Sequence, residues 1–272
     1  MKKRVRKSVG LVVGVLLTAG MFVGCDMLDA IDYIANMDVF YGTTQNSGSV
    51  AGGGSSVITR LPTGQHAEVM AYLATHYHEG NDYMYVAYFT VCITGWTREH
   101  MYIGGHDELG RTLPIRAYLS ERNMGRSVDR GRQRHNPTGW VQNQWELDGS
   151  QIWVKNRGHL IAYTFTFNFN DYGYFVYGYG GCEDNPVNLF TQTQHSNQRV
   201  MTRFENYIRN ALRDGSNVVF KASPVFRGDE LMARGIWLQA LSDCGDVELS
   251  VYVFNRQPGV AFDHATGYNW IY

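Results

Sequence analysis

The chain has 272 residues and a formal net charge of −1. Its first 25 residues contain five Lys or Arg and no acidic residue, so the remainder carries 19 basic side chains against 25 acidic ones, a net charge of −6. This balance excludes a uniformly basic surface, and any nucleic acid must bind where positive charge is locally concentrated. The spacing of the four cysteines is not typical of a zinc site.

The N-terminal 25 residues have the pattern of a secretory signal peptide, with a basic start followed by an apolar run over residues 9–23. That run is shorter than the roughly 20 residues of a membrane-spanning helix. The sequence Phe-Val-Gly-Cys at residues 22–25 resembles a bacterial lipobox, which leaves two alternatives. Either Cys25 is acylated and ties the protein to a membrane, or the peptide is cleaved and the protein is released. Both predict an exported protein, extracellular or anchored at the cell surface.

Residues 26–56 are predicted to form a flexible tether, because the Gly/Ser-rich stretch 43–56 has almost no apolar content. Residues 57–272 are long enough for one domain with a sizeable core. Segments rich in β-forming residues predict strands at 83–91, 151–154, 160–169, 217–226, 235–241 and 247–254. Short Gly/Asp-rich pieces separate the last three, which favours an antiparallel meander.

Apolar residues recur at helical spacing before Gly215, which predicts an amphipathic helix over about residues 197–213. The expected fold class is α+β, with a central antiparallel sheet flanked by helices.

Several polar side chains near this helix have the chemistry that phosphodiester cleavage needs: a base, a metal ligand and cations. His159 follows Gly158 in a strand-like stretch, and an unperturbed imidazole pKa near 6.5 suits a general base. Asn197 would start the helix, where it is either an N-cap or an oxygen ligand of Mg²⁺. Glu205 and Arg209 could instead form an i,i+4 surface ion pair.

Asn197 and Glu205 are separated by eight residues, roughly 12 Å along an ideal helix. Direct ligation of one ion by both would therefore be strained. Either the helix starts late, or Glu205 acts through metal-bound water.

Two further features concern charge and redox state. Seven arginines concentrate positive charge between residues 111 and 134, either as a phosphate-binding surface or as a solvated face. Cys182 and Cys244 both fall in Gly/Asp-rich loops, so a disulfide between them is a plausible expectation for an exported protein.

Several motifs, taken in order, resemble those of the DNA/RNA non-specific endonucleases, most of all the exported DNA-entry nucleases of Gram-positive bacteria. Asn-Arg-Gly-His at residues 156–159 is similar to that family's Asp-Arg-Gly-His. Asn-Leu-Phe-Thr-Gln at 188–192 and Asn-Gln at 197–198 resemble the second motif, and Asn-Arg-Gln-Pro-Gly at 255–259 a later one. The resemblance covers about residues 107–268 and implies a ββα-metal (His-Me finger) catalytic core at about 150–215.

The resemblance also implies roles for individual residues. His159 would be the general base, Asn197 the sole direct protein ligand of Mg²⁺ or Mn²⁺, and Glu205 a holder of metal-bound water. Arg157 and Arg209 would contact phosphate. The family residues expected to bind substrate correspond to Asn156, Gln192 and Gln198. The implied substrate is DNA, with RNA as an alternative, and no obligate protein partner is expected.

Asn156 departs from the family pattern, since an amide replaces the usual carboxylate. This motivates a second hypothesis, a catalytically weak or inactive DNA-binding protein on the same fold. A third is a structural or carbohydrate-binding surface protein that uses its many aromatic side chains as a ligand platform.

Overall fold

The computed structural model describes residues 57–59, 66–76, 80–94, 96–126, 131–147 and 149–272. The predicted signal peptide, the predicted tether and Cys25 lie outside these residues. Within them, no helix is long and apolar enough to cross a membrane.

Thirteen strands and two α-helices are present in the described part of the chain. The strands are β1 Val57–Thr59, β2 Tyr83–Val86, β3 His100–Ile103, β4 Ile115–Leu119, β5 Gln144–Leu147, β6 Ser150–Trp153, β7 Lys155–His159, β8 Leu189–Thr193, β9 Val218–Val225, β10 Gly235–Ser242, β11 Glu248–Phe254, β12 Val260–Asp263 and β13 Tyr268–Ile271. The helices are α1 His66–Thr75 and α2 Thr202–Arg213, and a π-helical turn, Ser196–Met201, leads directly into α2.

Seven strands form the main sheet in the order β1-β2-β11-β10-β9-β4-β3. Only the short β1 runs parallel to its neighbour; the other pairs are antiparallel. The predicted meander of β9, β10 and β11 is confirmed. Nearly every residue of β10 is buried, because the sheet is covered on both faces. The predicted α+β class is confirmed.

Each face of the sheet packs against a different helix. Phe204, Ile208 and Leu212 of α2 join the larger apolar cluster, in which Phe220 and Leu238 represent the sheet. On the opposite face, α1 packs against a smaller cluster around Trp237 and Tyr252. The apolar spacing that predicted α2 is thus the stripe that buries it against the sheet.

A separate two-stranded unit lies beside the main sheet and leads into the π-turn. β7 pairs antiparallel with β8, with Asn156 opposite Gln192 and His159 opposite Leu189. The chain then passes from β8 into the π-turn and α2, which gives the order strand, strand, helix. Residues 160–188 connect the two strands.

The predicted strand over 160–169 is wrong, since this segment is irregular and contains a 3₁₀ turn at Tyr163–Phe165. The side-chain amide of Asn188 accepts a hydrogen bond from Ile161 N and donates one to Ile161 O, both at 2.9 Å. The Asn188 amide thus makes the two hydrogen bonds to Ile161 that a neighbouring strand would make. The apolar run can therefore be buried without joining a sheet. A short apolar run in the sequence does not show whether the segment forms a strand or a buried irregular segment.

The predicted Cys182–Cys244 disulfide is also wrong, because both cysteines are free thiols. Cys182 is buried with its Sγ 3.4 Å from the carbonyl oxygens of Phe169 and Asn170. Cys244 is exposed and lies 2.9 Å from Ser216 Oγ.

Candidate active site

A cleft of about 490 Å³ lies where β7, the π-turn and α2 meet. Seven of the eight site residues expected from the sequence line it. They are Asn156, Arg157 and His159 from β7, Asn197 and Gln198 from the π-turn, and Glu205 and Arg209 from α2. These residues, spread over positions 156–209, reach one cleft because β7 pairs with β8, and β8 leads through the π-turn into α2.

His159 is 7% exposed, and a backbone carbonyl fixes its protonation pattern. Its Nε2 lies 2.8 Å from the carbonyl oxygen of Glu183. A carbonyl can only accept, so Nε2 carries the proton in the neutral imidazole, and Nδ1 holds the lone pair. In this tautomer the basic nitrogen of the ring is Nδ1.

Arg157 is held by three contacts that orient its guanidinium. Nε donates to His135 O at 2.6 Å, and Nη2 donates to Asn136 Oδ1 at 2.7 Å. The guanidinium carbon also lies 4.5 Å from the centre of the Trp140 ring. These contacts leave Nη1 as a donor for an anion in the cleft.

Asn197 does not cap the helix, so that alternative is wrong. His195 occupies the N-cap position of the helical segment, and Asn197 is the second residue inside the π-turn. Helical backbone already begins at Gln194 and His195, runs through the π-turn and continues as α2 from Thr202, so the alternative of a late helix start is wrong. An i→i+5 turn has more residues than the 3.6 of an α-turn, so Asn197 and Glu205 lie closer along the axis than on an ideal helix.

Arg209 lies on α2 one turn after Glu205 and also contacts the irregular segment. Its Nη2 donates to Thr164 Oγ1 at 3.0 Å, and its guanidinium carbon lies 5.1 Å from the centre of the Phe165 ring. Burial lowers the pKa of Arg209, and the nearby Glu205 carboxylate opposes that shift. The side chain stays cationic at neutral pH, because the ordinary pKa of an arginine lies far above neutrality.

Gln192 is the one expected site residue that the structure places away from the cleft. It is fully buried, and its Nε2 lies 3.0 Å from Ser196 Oγ and 3.4 Å from Met201 Sδ. A Cβ on the facing Gly158 would overlap Gln192 Oε1, which explains the glycine before His159. Gln192 therefore joins β7 to the π-turn and does not contact substrate, so its assignment to substrate binding is wrong.

The segment after β11 contributes residues that the site prediction missed. Asn255 accepts from Thr193 N at 2.7 Å and donates to Thr191 O at 2.9 Å, as a neighbouring strand would. Gln257 Oε1 accepts from His195 N at 2.9 Å. These side chains fix the end of β8 and the start of the π-turn. Both residues belong to the Asn-Arg-Gln motif that the sequence analysis noted, but the sequence alone did not indicate what the motif does.

A buried carboxylate supports the same junction. Asp82 Oδ1 lies 2.8 Å from His195 Nε2 and 2.7 Å from Arg256 Nη1. Although burial opposes the charge, the bonds from His195 and Arg256 hold the pKa of Asp82 below its usual value. Nothing in the sequence linked Asp82 to His195, which is 113 positions further along.

Of the arginines between residues 111 and 134 that the structure describes, none lines this cleft. Arg111 is paired with Asp107 at 2.7 Å, and Arg122 with Glu99 at 3.3 Å. Arg116 lies over the rings of Tyr102 and Tyr118. Among the described residues, the basic side chains that line the cleft are Arg157, Arg209 and the buried Lys155, all on other elements.

The donor atoms in the cleft suit a hard divalent cation held by few protein groups. Asn197 and Glu205 supply oxygen donors, and no group of three His, Cys, Asp or Glu side chains able to hold a metal occurs among the described residues. Mg²⁺ and similar ions prefer oxygen and keep most of their waters when few side chains bind them.

A strand-borne histidine facing a helix with an amide, a carboxylate and an arginine defines a phosphodiesterase type of site. The sequence model of the DNA/RNA non-specific endonuclease family matches residues 92–244, more than half of the chain. The chain therefore belongs to the DNA/RNA non-specific endonuclease family, as its motifs predicted.

Solved structures with the same fold include NucA from Streptococcus agalactiae with a magnesium ion bound. Its TM-score is 0.58 at 23% identity, over 68% of this chain and 84% of that one. NucA with no metal bound gives a TM-score of 0.54 at 24% identity, over 65% of this chain and 80% of that one. At this identity the similarity shows the fold, and it agrees with the predicted ββα-metal core.

Proposed function

We propose that this protein is an exported, sequence-non-specific endonuclease that hydrolyses DNA phosphodiesters, with RNA as a further substrate, and uses one divalent ion, Mg²⁺ or Mn²⁺. The observation that carries the proposal is the convergence of His159, Asn197, Glu205, Arg157 and Arg209 on one cleft. Membership of a nuclease family supports it.

In this mechanism, His159 activates the attacking water. Nδ1 takes a proton from the water as its oxygen forms a bond to phosphorus, while Nε2–H stays bonded to Glu183 O. The bond from phosphorus to the leaving oxygen breaks, and that oxygen takes a proton from solvent. The backbone carbonyl stabilises the imidazolium that forms, because its dipole points at the Nε2 proton.

The two arginines neutralise charge that grows on the phosphoryl oxygens. Arg157 is already oriented by His135, Asn136 and Trp140, so little reorganisation is needed on binding. A divalent ion held directly by Asn197, and through its water by Glu205, would supply further charge stabilisation at the phosphate. Asn156 and Gln198 line the same cleft and would contact the nucleic acid.

A second candidate function is DNA binding with little or no cleavage, favoured by Asn156. Its side chain lines the cleft without the negative charge of an aspartate. A carboxylate there would strengthen the field that holds a cation, since opposite charges a few ångströms apart attract.

Plasmid cleavage tests the proposal and separates the two candidates. Residues 26–272 are incubated with supercoiled plasmid in Mg²⁺ or in EDTA. We expect metal-dependent nicking and degradation that falls about 10²–10⁴-fold in His159→Ala, the usual effect of losing a general base.

The matched control is His106→Ala, which changes an exposed histidine outside the cleft and should leave the rate unchanged. Plasmid that stays intact but shifts on a gel would replace the nuclease proposal by the DNA-binding one. Full activity in His159→Ala would refute the assignment of the base.

Export rests on the basic and apolar pattern of residues 1–25. N-terminal mass spectrometry of protein produced in a bacterium distinguishes the alternatives. A lipid-modified Cys25 indicates anchoring, and an unmodified cleaved end indicates release.

A further inference from the structure

The tip of the connection between β7 and β8 exposes large aromatic side chains. This segment, residues 170–180, is called the tyrosine loop below. Tyr172, Tyr174 and Tyr177 are 78%, 57% and 86% exposed. Burying such rings is favourable, so several of them left together in solvent indicate a binding surface.

The backbone of the tyrosine loop is fixed by hydrogen bonds. Asn170 Oδ1 accepts from Tyr172 N at 3.1 Å and from Tyr174 N at 3.0 Å. Asn168 Oδ1 accepts from Gly178 N at 2.7 Å. The loop also extends the edge of the main sheet, because Met101 N in β3 donates to Gly173 O at 2.9 Å. The exposed rings therefore project from an ordered backbone, which lowers the entropy lost on binding.

Further aromatic rings and cations continue the surface along β3 and β4. The His100 ring lies 5.3 Å from that of Tyr174 and 4.2 Å from that of Tyr102. The guanidinium of Arg116 lies 4.9 Å from the centre of the half-exposed Tyr102 ring. Beside the loop, Arg122 lies 4.1 Å from the centre of the Phe175 ring. A surface that alternates aromatic rings with arginines suits a nucleic acid, because the rings can stack on bases and the arginines can bind phosphates.

The tyrosine loop reaches the cleft through Tyr163. Its hydroxyl donates to Gly180 O at 3.4 Å, and its ring, which lines the cleft, lies 6.4 Å from that of His159. Tyr177 precedes Gly180 by three residues, at most about 11 Å of extended chain. That length corresponds to about three nucleotide steps at 3.4 Å each.

We propose that the tyrosine loop stacks on unpaired bases of the strand being cut, so that single-stranded nucleic acid binds better than duplex. This proposal rests on the proposed function and specifies which form of nucleic acid the site prefers. Bases in a duplex are already stacked on their neighbours and must be pulled apart before they meet a tyrosine ring. A single strand offers them freely, and each base stacked on an aromatic ring is typically worth about tenfold or more in affinity.

Binding to a protein that does not cut tests this separately from catalysis. Labelled 12-nucleotide strands are titrated by fluorescence anisotropy against His159→Ala protein, with and without Tyr172→Ala and Tyr177→Ala. The probes are a single strand, its duplex and a strand of abasic sites with the same phosphates. We expect the double tyrosine variant to lose at least tenfold in affinity for the single strand. Affinity for the abasic strand should change less than twofold.

Two variants separate stacking from other effects. Tyr172→Phe with Tyr177→Phe keeps both rings and should retain single-strand affinity. Tyr272→Ala removes another tyrosine that is 81% exposed and should have no effect. Equal loss for the single and abasic strands, or no loss for either, would overturn the proposal. Because cleavage is not measured, either result stands whether or not the protein proves to be a nuclease.

Discussion

Two histidines near the cleft show how hydrogen-bond partners distinguish residues of the same type. His159 has its proton placed on Nε2 by Glu183 O. His195 instead pairs with the buried Asp82 and holds the start of the π-turn. The sequence alone could not tell these two histidines apart, because their hydrogen-bond partners lie 24 and 113 positions away along the chain.

Asn197 is expected to act on metal binding and not on folding. In Asn197→Ala, half-saturation of cleavage should need about 10–100-fold more Mg²⁺, a usual range for weakened metal sites. The melting temperature without metal should change little, because the side chain does not cap the helix. Activity titrations with Mg²⁺ and thermal melts in EDTA measure the two effects.

Asn210→Ala, an exposed asparagine on α2, is the matched control for that titration. A wild-type Mg²⁺ curve in Asn197→Ala would rule out the ligand role. A large loss of stability in EDTA would contradict the absence of a cap.

The two free cysteines should differ sharply in reactivity. Burial, followed by the charge of Asp171, raises the pKa of Cys182 to about 12, so almost no thiolate forms at neutral pH. Cys244 is exposed. Alkylation of the native protein followed by peptide mass spectrometry should label Cys244 fast and Cys182 only after unfolding. A peptide linking the two would contradict the structure.

At the scale of elements, the apolar stripe of α2 was predictable, but the site around it was only partly so. α2 was found from sequence because Phe204, Ile208 and Leu212 recur at its period. β7 has the sequence Lys-Asn-Arg-Gly-His, which carries no strong β-former. It becomes a strand through pairing with β8. Side-chain chemistry marked His159 as a candidate, and family resemblance marked Asn156 and Arg157.

The π-turn was missed for a related reason. Its sequence, Ser-Asn-Gln-Arg-Val-Met, has no feature that separates i→i+5 from i→i+4 bonding. Its start depends on Gln257 and Asn255, which approach from another part of the chain.

Replacing Asn255 should loosen the join between β8 and the π-turn. Asn255→Ala removes bonds to Thr193 N, Thr191 O and Ala233 O, all buried. Unsatisfied buried groups cost about 1–3 kcal/mol each, so we expect a loss of roughly 2–4 kcal/mol in the free energy of unfolding. Urea denaturation measures it.

The control for that experiment is Asn210→Ala, on the exposed side of α2. A loss below about 0.5 kcal/mol in Asn255→Ala would mean that these bonds do not hold the junction.

For the whole molecule, the partly buried His264 is expected to make stability depend on pH. Burial, assisted by Arg234, lowers the pKa of His264 to about 4, whereas an unfolded histidine titrates near 6.5. The unfolded chain thus binds this proton first as pH falls. The contribution of His264 to the free energy of unfolding is therefore fully present above about pH 6.5. It falls by about 3 kcal/mol as the pH is lowered from there to pH 4.

His264→Asn isolates this effect, since its amide can still donate to Met232 O, which lies 3.3 Å from His264 Nδ1. Urea titrations at pH 7, 5.5 and 4 give the free energy of unfolding at each pH. As the pH is lowered, this free energy should fall more steeply for the original protein than for His264→Asn. Parallel pH profiles would show that His264 does not cause the loss.

The cleft depends on residues 255–257, which follow Arg209, the last cleft-lining residue along the chain. A growing chain that has not reached residue 255 lacks Asn255 and Gln257, whose side chains fix the end of β8 and the start of the π-turn. If the chain crosses a membrane unfolded, as the proposed export would allow, the cleft is completed only after these residues have crossed. The proposed nuclease would then be completed away from the chromosome of the cell that makes it.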